Sequence, residues 1–207
     1  CALKFSLLES SVAPLPAKDV DTDQIIPARF LKITDRSGLK EGLFANWRDQ
    51  PDFVLDDARF AGAEILLVGD NFGCGSSREH AAWALIDNGI RAVVSTRFAD
   101  IFRNNALKNG LLTVTVTPQV WARLLEIVEG APETRLTIDL EALELRIPGE
   151  PTVAFDVEPF ARHCLLEGVD QFGYLLEHLP AIEQWESQRE PRVETRRSAA
   201  ESTEAVE

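Results

Sequence analysis

The residues of this chain whose types and spacing could do chemistry lie mostly in one run, Asn71-Phe72-Gly73-Cys74-Gly75-Ser76-Ser77-Arg78-Glu79-His80. Gly73 and Gly75 let a backbone turn tightly and come close to a ligand. A helix starting just after them adds unpaired N–H groups and positive partial charge, and both favour a bound anion. Ser76, Ser77 and Arg78 would sit on that anion site. Arg78 offers a two-pronged donor fork to a carboxylate or phosphate.

A structural reading competes with the chemical one. Ser76 and Glu79 have the spacing of a capping box, in which Ser76 caps the helix and Glu79 reaches back. The two readings coexist, because the anion site survives either way. Other motif readings fail on detail. The run has no third glycine, and no Gly-Lys-Ser/Thr occurs, so neither dinucleotide nor P-loop binding is supported. Cys74 with His80 could suggest a thiol nucleophile, but a Cys in a tight Gly turn reads more simply as a small packing residue. His163 and Cys164 are adjacent and so point to different faces of a helix, which argues against a metal pair. The cysteines, at 1, 74 and 164, form neither a disulfide framework nor a C-x-x-C pair for zinc or an iron–sulfur cluster.

The elements that must position this run follow from hydrophobic patterning. Residues 63–69 are apolar without alternation and read as a buried strand, 90–95 read as the next buried strand, and 111–116 as a further strand. Helices are expected over about 77–88 and 98–109, and over 118–129 behind Pro118. This strand–helix alternation implies parallel strands in an α/β layer. Residues 135–140, 143–147 and 152–156 alternate like half-exposed antiparallel strands. Residues 159–167 and 171–185 look helical. Upstream, residues 3–15 read as one or two strands and Val20–Pro27 as an acidic turn entering an apolar segment. Residues 31–50 lack a clear period and read as a mobile loop. The expectation is one compact α/β domain over residues 1–186, with mixed parallel and antiparallel strands, flanking helices and a disordered tail at 187–207.

Composition bounds the partners. The chain has 207 residues, 45% hydrophobic and 27% charged, which suits a single globular domain. Lys and Arg total 21 against 34 Asp and Glu, a net charge of −13. That balance argues against broad binding to nucleic acid or anionic membranes, which needs clustered cations. No apolar run approaches the roughly 18 residues of a membrane span. The first residues lack the basic-then-apolar layout of a signal peptide, so a cytoplasmic protein is the expectation.

Residues 73–112, from Gly73-Cys74-Gly75-Ser76-Ser77-Arg78-Glu79-His80 onward, resemble the swivelling domain of the aconitase superfamily. The segment Val20–Leu31 lies upstream in the matching order. With the chain length and Gly42–Arg48, these features resemble the small-subunit branch of the isopropylmalate dehydratases over about residues 5–185. The resemblance implies a swivelling β/β/α domain. It implies that Ser76 acts as an alkoxide base on the proton next to a carboxylate, and that Arg78 binds a carboxylate of a small dicarboxylate substrate. It implies no cofactor on this chain, and a four-iron four-sulfur cluster on a separate large subunit. The reaction would be dehydration and rehydration, active only with that subunit. With the capping reading, one serine would cap the helix while the other faces substrate. Asp21, Thr22 and Asp23 match a superfamily turn that either meets substrate, Asp23 foremost, or only braces the site. His80 would pack behind the loop. A second substrate arginine has Arg36 and Arg48 as candidates.

Substrate choice is expected in residues 31–43. Leu31, Ile33, Leu39 and Leu43 are candidates for an apolar wall, and Gly38 and Gly42 for hinges. Lys32, Arg36 and Lys40 keep more acidic substrates open. The alternatives are therefore a homoaconitase or citraconate hydratase small subunit, or a non-catalytic anion- or partner-binding domain of the same fold. The presence of Arg78 speaks against the last, since a purely structural turn needs no arginine there.

Overall fold

The structure, a computed structural model, describes residues 4–31, 38–50 and 52–188. The chain divides into two units, residues 1–171 and 172–207. The first is built on a seven-stranded sheet, and β1 (Leu7–Leu15) is its central link. The C-terminal half of β1 pairs in parallel with β2 (Ile65–Val68), Val12 facing Ile65 and Leu15 facing Val68. Its N-terminal half pairs antiparallel with β5 (Arg135–Asp139), Leu7 facing Asp139. Beyond β2 lie β3 (Ala92–Ser95) and β4 (Leu112–Thr115), both parallel. Beyond β5 lie β6 (Glu144–Arg146) and β7 (Val153–Ala154), both antiparallel.

The burial of the strands explains the two kinds of sequence pattern. All four residues of β2 and of β3 are buried, as parallel strands covered on both faces must be. β5 alternates exposed and buried positions, as a strand with one wet face does. The helices are the short α1 (Thr22–Ile25), then α2 (Glu79–Asp87), α3 (Asp100–Lys108), α4 (Pro118–Gly130) and α5 (Pro159–Glu167). α2 buries Ala81, Ala82, Ala84 and Leu85, and small alanines allow close packing. Thr117 caps α4 through Val120 N–H with Pro118 in its first turn, where a missing N–H costs nothing.

Two expectations need correction here. Residues 38–50 are not a mobile loop. Leu39, Leu43 and Phe44 are fully buried, and Phe44 stacks on Trp47 at 5.4 Å between centroids. Phe53 closes the cluster at 5.7 Å from Phe44. The segment has no helical or strand period because it packs as single turns, so periodicity could not reveal it. The helix expected over 171–185 is two, α6 (Gln171–Glu177) and α7 (Leu179–Ser187). Pro180 in the first turn of α7 lacks the N–H that a continuous helix needs. In the second unit Phe172, Leu175, Leu176, Leu179 and Trp185 are exposed. The tail expected to be disordered falls mostly outside the described residues, as do Ile33 and Arg36. No helix among the described residues is long and apolar enough to cross a membrane.

Candidate active site

The glycine–serine run leaves the end of β2 and is held on both sides by extensions of the neighbouring strands. On one side Phe72 bridges Phe98 in parallel register, and Phe72 O accepts Ala99 N–H at 3.0 Å. On the other side Asp21 bridges Cys74, and Cys74 O accepts Thr22 N–H at 2.9 Å. The order β3–β2–β1 thus continues past the strand ends into the loop. This explains why α3 starts at Asp100 and not at Phe98, since residues 97–99 still pair with the loop.

Both glycines have the left-handed backbone that their type permits, φ +78° at Gly73 and +85° at Gly75. Asn71 shares that region at φ 59°, and its side-chain amide donates to Asp19 Oδ1 at 2.7 Å. The Cys74 thiol donates to Asp19 O at 3.3 Å. Burial, reinforced by the charges of Asp21 and Asp19, pushes that thiol above its usual range. Cys74 is thus a packing residue, as a nucleophile needs the thiolate.

The capping expectation at Ser76 and Glu79 is wrong. α2 begins at Glu79 with Arg78 in the N-cap position, extended at φ −135°, and no side chain caps it. Glu79 is turned away and accepts from Asn109 Nδ2 at 2.8 Å, while Asn109 Oδ1 accepts from Trp83 Nε1. α2 is therefore tied to the end of α3, a partner thirty residues distant that local spacing does not reveal. The division of labour between a capping and a reacting serine falls with it. Ser76 and Ser77 are both exposed, with Gly75 exposed beside them. Among the described residues neither hydroxyl is engaged in a hydrogen bond. His80 packs against the Trp83 ring at 4.7 Å.

A capping box does exist one strand away. Asp21 accepts Gln24 N–H at 2.8 Å, and Gln24 Oε1 accepts Asp21 N–H at 3.0 Å. It fixes the one-turn helix α1, from which Thr22 and Asp23 reach the loop. Thr22 is 2% exposed, and its hydroxyl donates to Ser76 O at 2.8 Å. Asp23 Oδ1 accepts from Arg78 Nη1 and, at 3.1 Å, from Ala28 N–H. The Arg78 hydrogen bond, foremost, holds the Asp23 carboxyl below its usual range. Thr22→Val keeps the side-chain volume and removes the hydroxyl. Its expected cost is about 1 kcal/mol, a fall of roughly 2–4 °C in Tm. An unchanged melting curve would mean that the Thr22–Ser76 bond contributes nothing.

Other candidates lie elsewhere. Arg48 donates to Leu43 O at 2.9 Å, pairs with Asp56 and reaches Asn88 at 3.3 Å. It clamps the aromatic cluster, so it is no spare arginine for a ligand. Leu39 and Leu43 belong to the core and leave the list of wall residues. A Cβ on Gly42 would lie 2.9 Å from the Phe30 ring, so Gly42 is a packing contact and not a hinge. Leu31 stays half-buried against the core. Among the described residues no three of His, Cys, Asp and Glu come together to hold a metal ion.

Comparison with known proteins places the chain in a family. The family profile of the aconitase C-terminal domain matches residues 3–119. The 3-isopropylmalate dehydratase small subunit of Roseiflexus castenholzii is 52% identical over 197 residues, covering 92% of this chain and 97% of the relative. That of Anaeromyxobacter dehalogenans is 54% identical over 176 residues, covering 82% and 90%. The crystal structure of 3-isopropylmalate dehydratase from Methanocaldococcus jannaschii matches with a TM-score of 0.66 at 28% identity, covering 86% of this chain and 99% of that one. With identity above one half across nearly the whole length, the chain belongs to the 3-isopropylmalate dehydratase small-subunit family, built on the aconitase C-terminal domain.

Proposed function

We propose that this chain is the small subunit of a cytoplasmic hydro-lyase that interconverts 2-isopropylmalate and 3-isopropylmalate for leucine biosynthesis. The observation that carries the reading is an exposed Ser76–Ser77 pair, its hydroxyls engaged by no described residue, beside a half-buried arginine on a loop braced from two sides. Ser76 Oγ takes the proton from the carbon next to a substrate carboxylate. Loss of the neighbouring hydroxyl leaves an enoic diacid, and water returns to the adjacent carbon. Arg78 grips a carboxylate, and backbone donors of the Gly75 turn and the positive end of α2 support the serine oxyanion.

The resemblance to the aconitase superfamily assigns a four-iron four-sulfur cluster to a large subunit, a partner that the small-subunit naming of the relatives supports. There it supplies Lewis acidity toward the leaving hydroxyl. Exposure of both serines supports the same division, because an alkoxide needs a water-poor cleft and this chain leaves the loop open. Leu31 and Ile33 are proposed as the apolar wall for the isopropyl group. One methylene is worth ~1–3 kcal/mol, so shorter malates react slowly rather than not at all.

The test is reconstitution with the large subunit of the same source. Turnover of 2-isopropylmalate is expected in the complex and not in this chain alone. Arg78→Lys should raise KM by about 10–100-fold, since an ammonium lacks the planar fork. A complex that prefers a homocitrate-type acid or citraconate would overturn the substrate assignment. An Arg78→Lys complex with unchanged KM would remove Arg78 from the binding site.

A further inference from the structure

Arg78 does not meet its ligand as a free guanidinium. Its side chain is 18% exposed, and Nη1 is already committed twice, to Asp23 Oδ1 and to the Ile26 carbonyl at 3.3 Å. Among the described residues Nε and Nη2 donate to nothing. A guanidinium has two edges that can take a carboxylate two-pronged, Nη1–Nη2 and Nε–Nη2. With Nη1 occupied, the first edge is spent and the second is left.

Asp23 is itself well anchored for this task. It lies in α1, whose capping box between Asp21 and Gln24 fixes the turn, and its Oδ1 is also held by the Ala28 N–H. Thr22, its neighbour, is bonded to the Ser76 carbonyl. One rigid turn therefore holds the serine backbone with one residue and the arginine head group with the next. The distance between base and carboxylate grip is set on α1 rather than on the exposed loop.

We propose that Asp23 is a positioning residue, which by holding Nη1 turns the Nε–Nη2 edge of Arg78 toward the substrate carboxylate. The inference rests on the isopropylmalate reading for the identity of that substrate. It assigns Asp23 a role through Arg78 and no contact with the reacting atoms. Asp23 also offsets part of the arginine's charge. Binding then depends on matching a planar two-oxygen group more than on attraction to any anion.

The test uses the reconstituted complex and whichever diacid the wild-type complex prefers. Preference for another diacid would revise the functional reading while leaving this measurement intact. Asp23→Ala should raise KM by about tenfold or more, the scale of a lost charged hydrogen bond. kcat should change less. Asp23→Asn keeps an Oδ1 acceptor for Arg78 and for Ala28 N–H, so it should recover most of the loss. In an Arg78→Ala background Asp23→Ala should have no further effect on KM, because the residue it positions is gone. Unchanged melting curves for the single variants would separate positioning from folding. A KM for Asp23→Ala within twofold of wild type, or below it, would overturn the proposal. So would a full-sized effect of Asp23→Ala in the Arg78→Ala background.

Discussion

Ser76→Ala in the reconstituted complex is expected to lower kcat by about 10²–10⁴-fold, the usual worth of a positioned base, with KM changed little. The base acts on a proton that moves only in the transition state, so the loss falls on kcat. The structure sharpens this expectation. Ser76 caps no helix and its hydroxyl is engaged by no described residue, so the substitution should leave stability untouched. Thr22 bonds to the Ser76 carbonyl and not to its hydroxyl, so the loop stays braced. Ser77→Ala is the control. A wild-type kcat in Ser76→Ala with a collapse in Ser77→Ala would move the base to Ser77. Steady-state kinetics with thermal melting of each variant would separate these outcomes.

Gly73→Ala is expected to destabilise the chain far more than the same methyl added at Gly75. A Cβ at Gly73 would lie 2.2 Å from Phe102 Cγ, 2.5 Å from its Cβ and 2.7 Å from its Cδ2. Phe102 cannot retreat. It is 2% exposed, edge-on to Phe72 at 5.2 Å and stacked on Phe98 at 6.3 Å. Overpacking costs about 1–3 kcal/mol and a left-handed residue with a side chain about 1–2 more. The sum, roughly 2–5 kcal/mol, is a large share of the stability of a typical domain. In a chain of this size that is a fall of roughly 5–15 °C in Tm. Gly75→Ala is the comparison, because its Cβ would make only ordinary contacts, with Asp21 Cβ at 3.4 Å and Thr22 Oγ1 at 4.0 Å. It should cost only the backbone strain. Equal melting temperatures for the two variants would refute the steric account.

The sequence by itself determined the parts whose signals are local. Unbroken apolar runs at 65–68 and 92–94 mark strands covered on both faces, and the alternation in 135–139 marks a half-wet one. Gly73 and Gly75, with the serine pair and Arg78 after them, mark a turn that can present hydroxyls and a cation, and the structure exposes Gly75, Ser76 and Ser77 while half-burying Arg78. The packed segment 38–50 was not legible, because Leu39, Leu43 and Phe44 bury themselves from single turns with no repeat for periodicity to detect. Only the tertiary structure decided who holds whom at the site. Glu79 has the spacing of a capping residue yet serves Asn109, and the real box lies at Asp21 and Gln24. The Thr22–Ser76 and Arg78–Asp23 bonds join residues 54 and 55 positions apart. Such pairs form because parallel pairing of β1, β2 and β3 runs on past the strand ends and brings distant loops side by side. Backbone propensity acts over a few residues, whereas the register of a sheet sets neighbours across the whole chain.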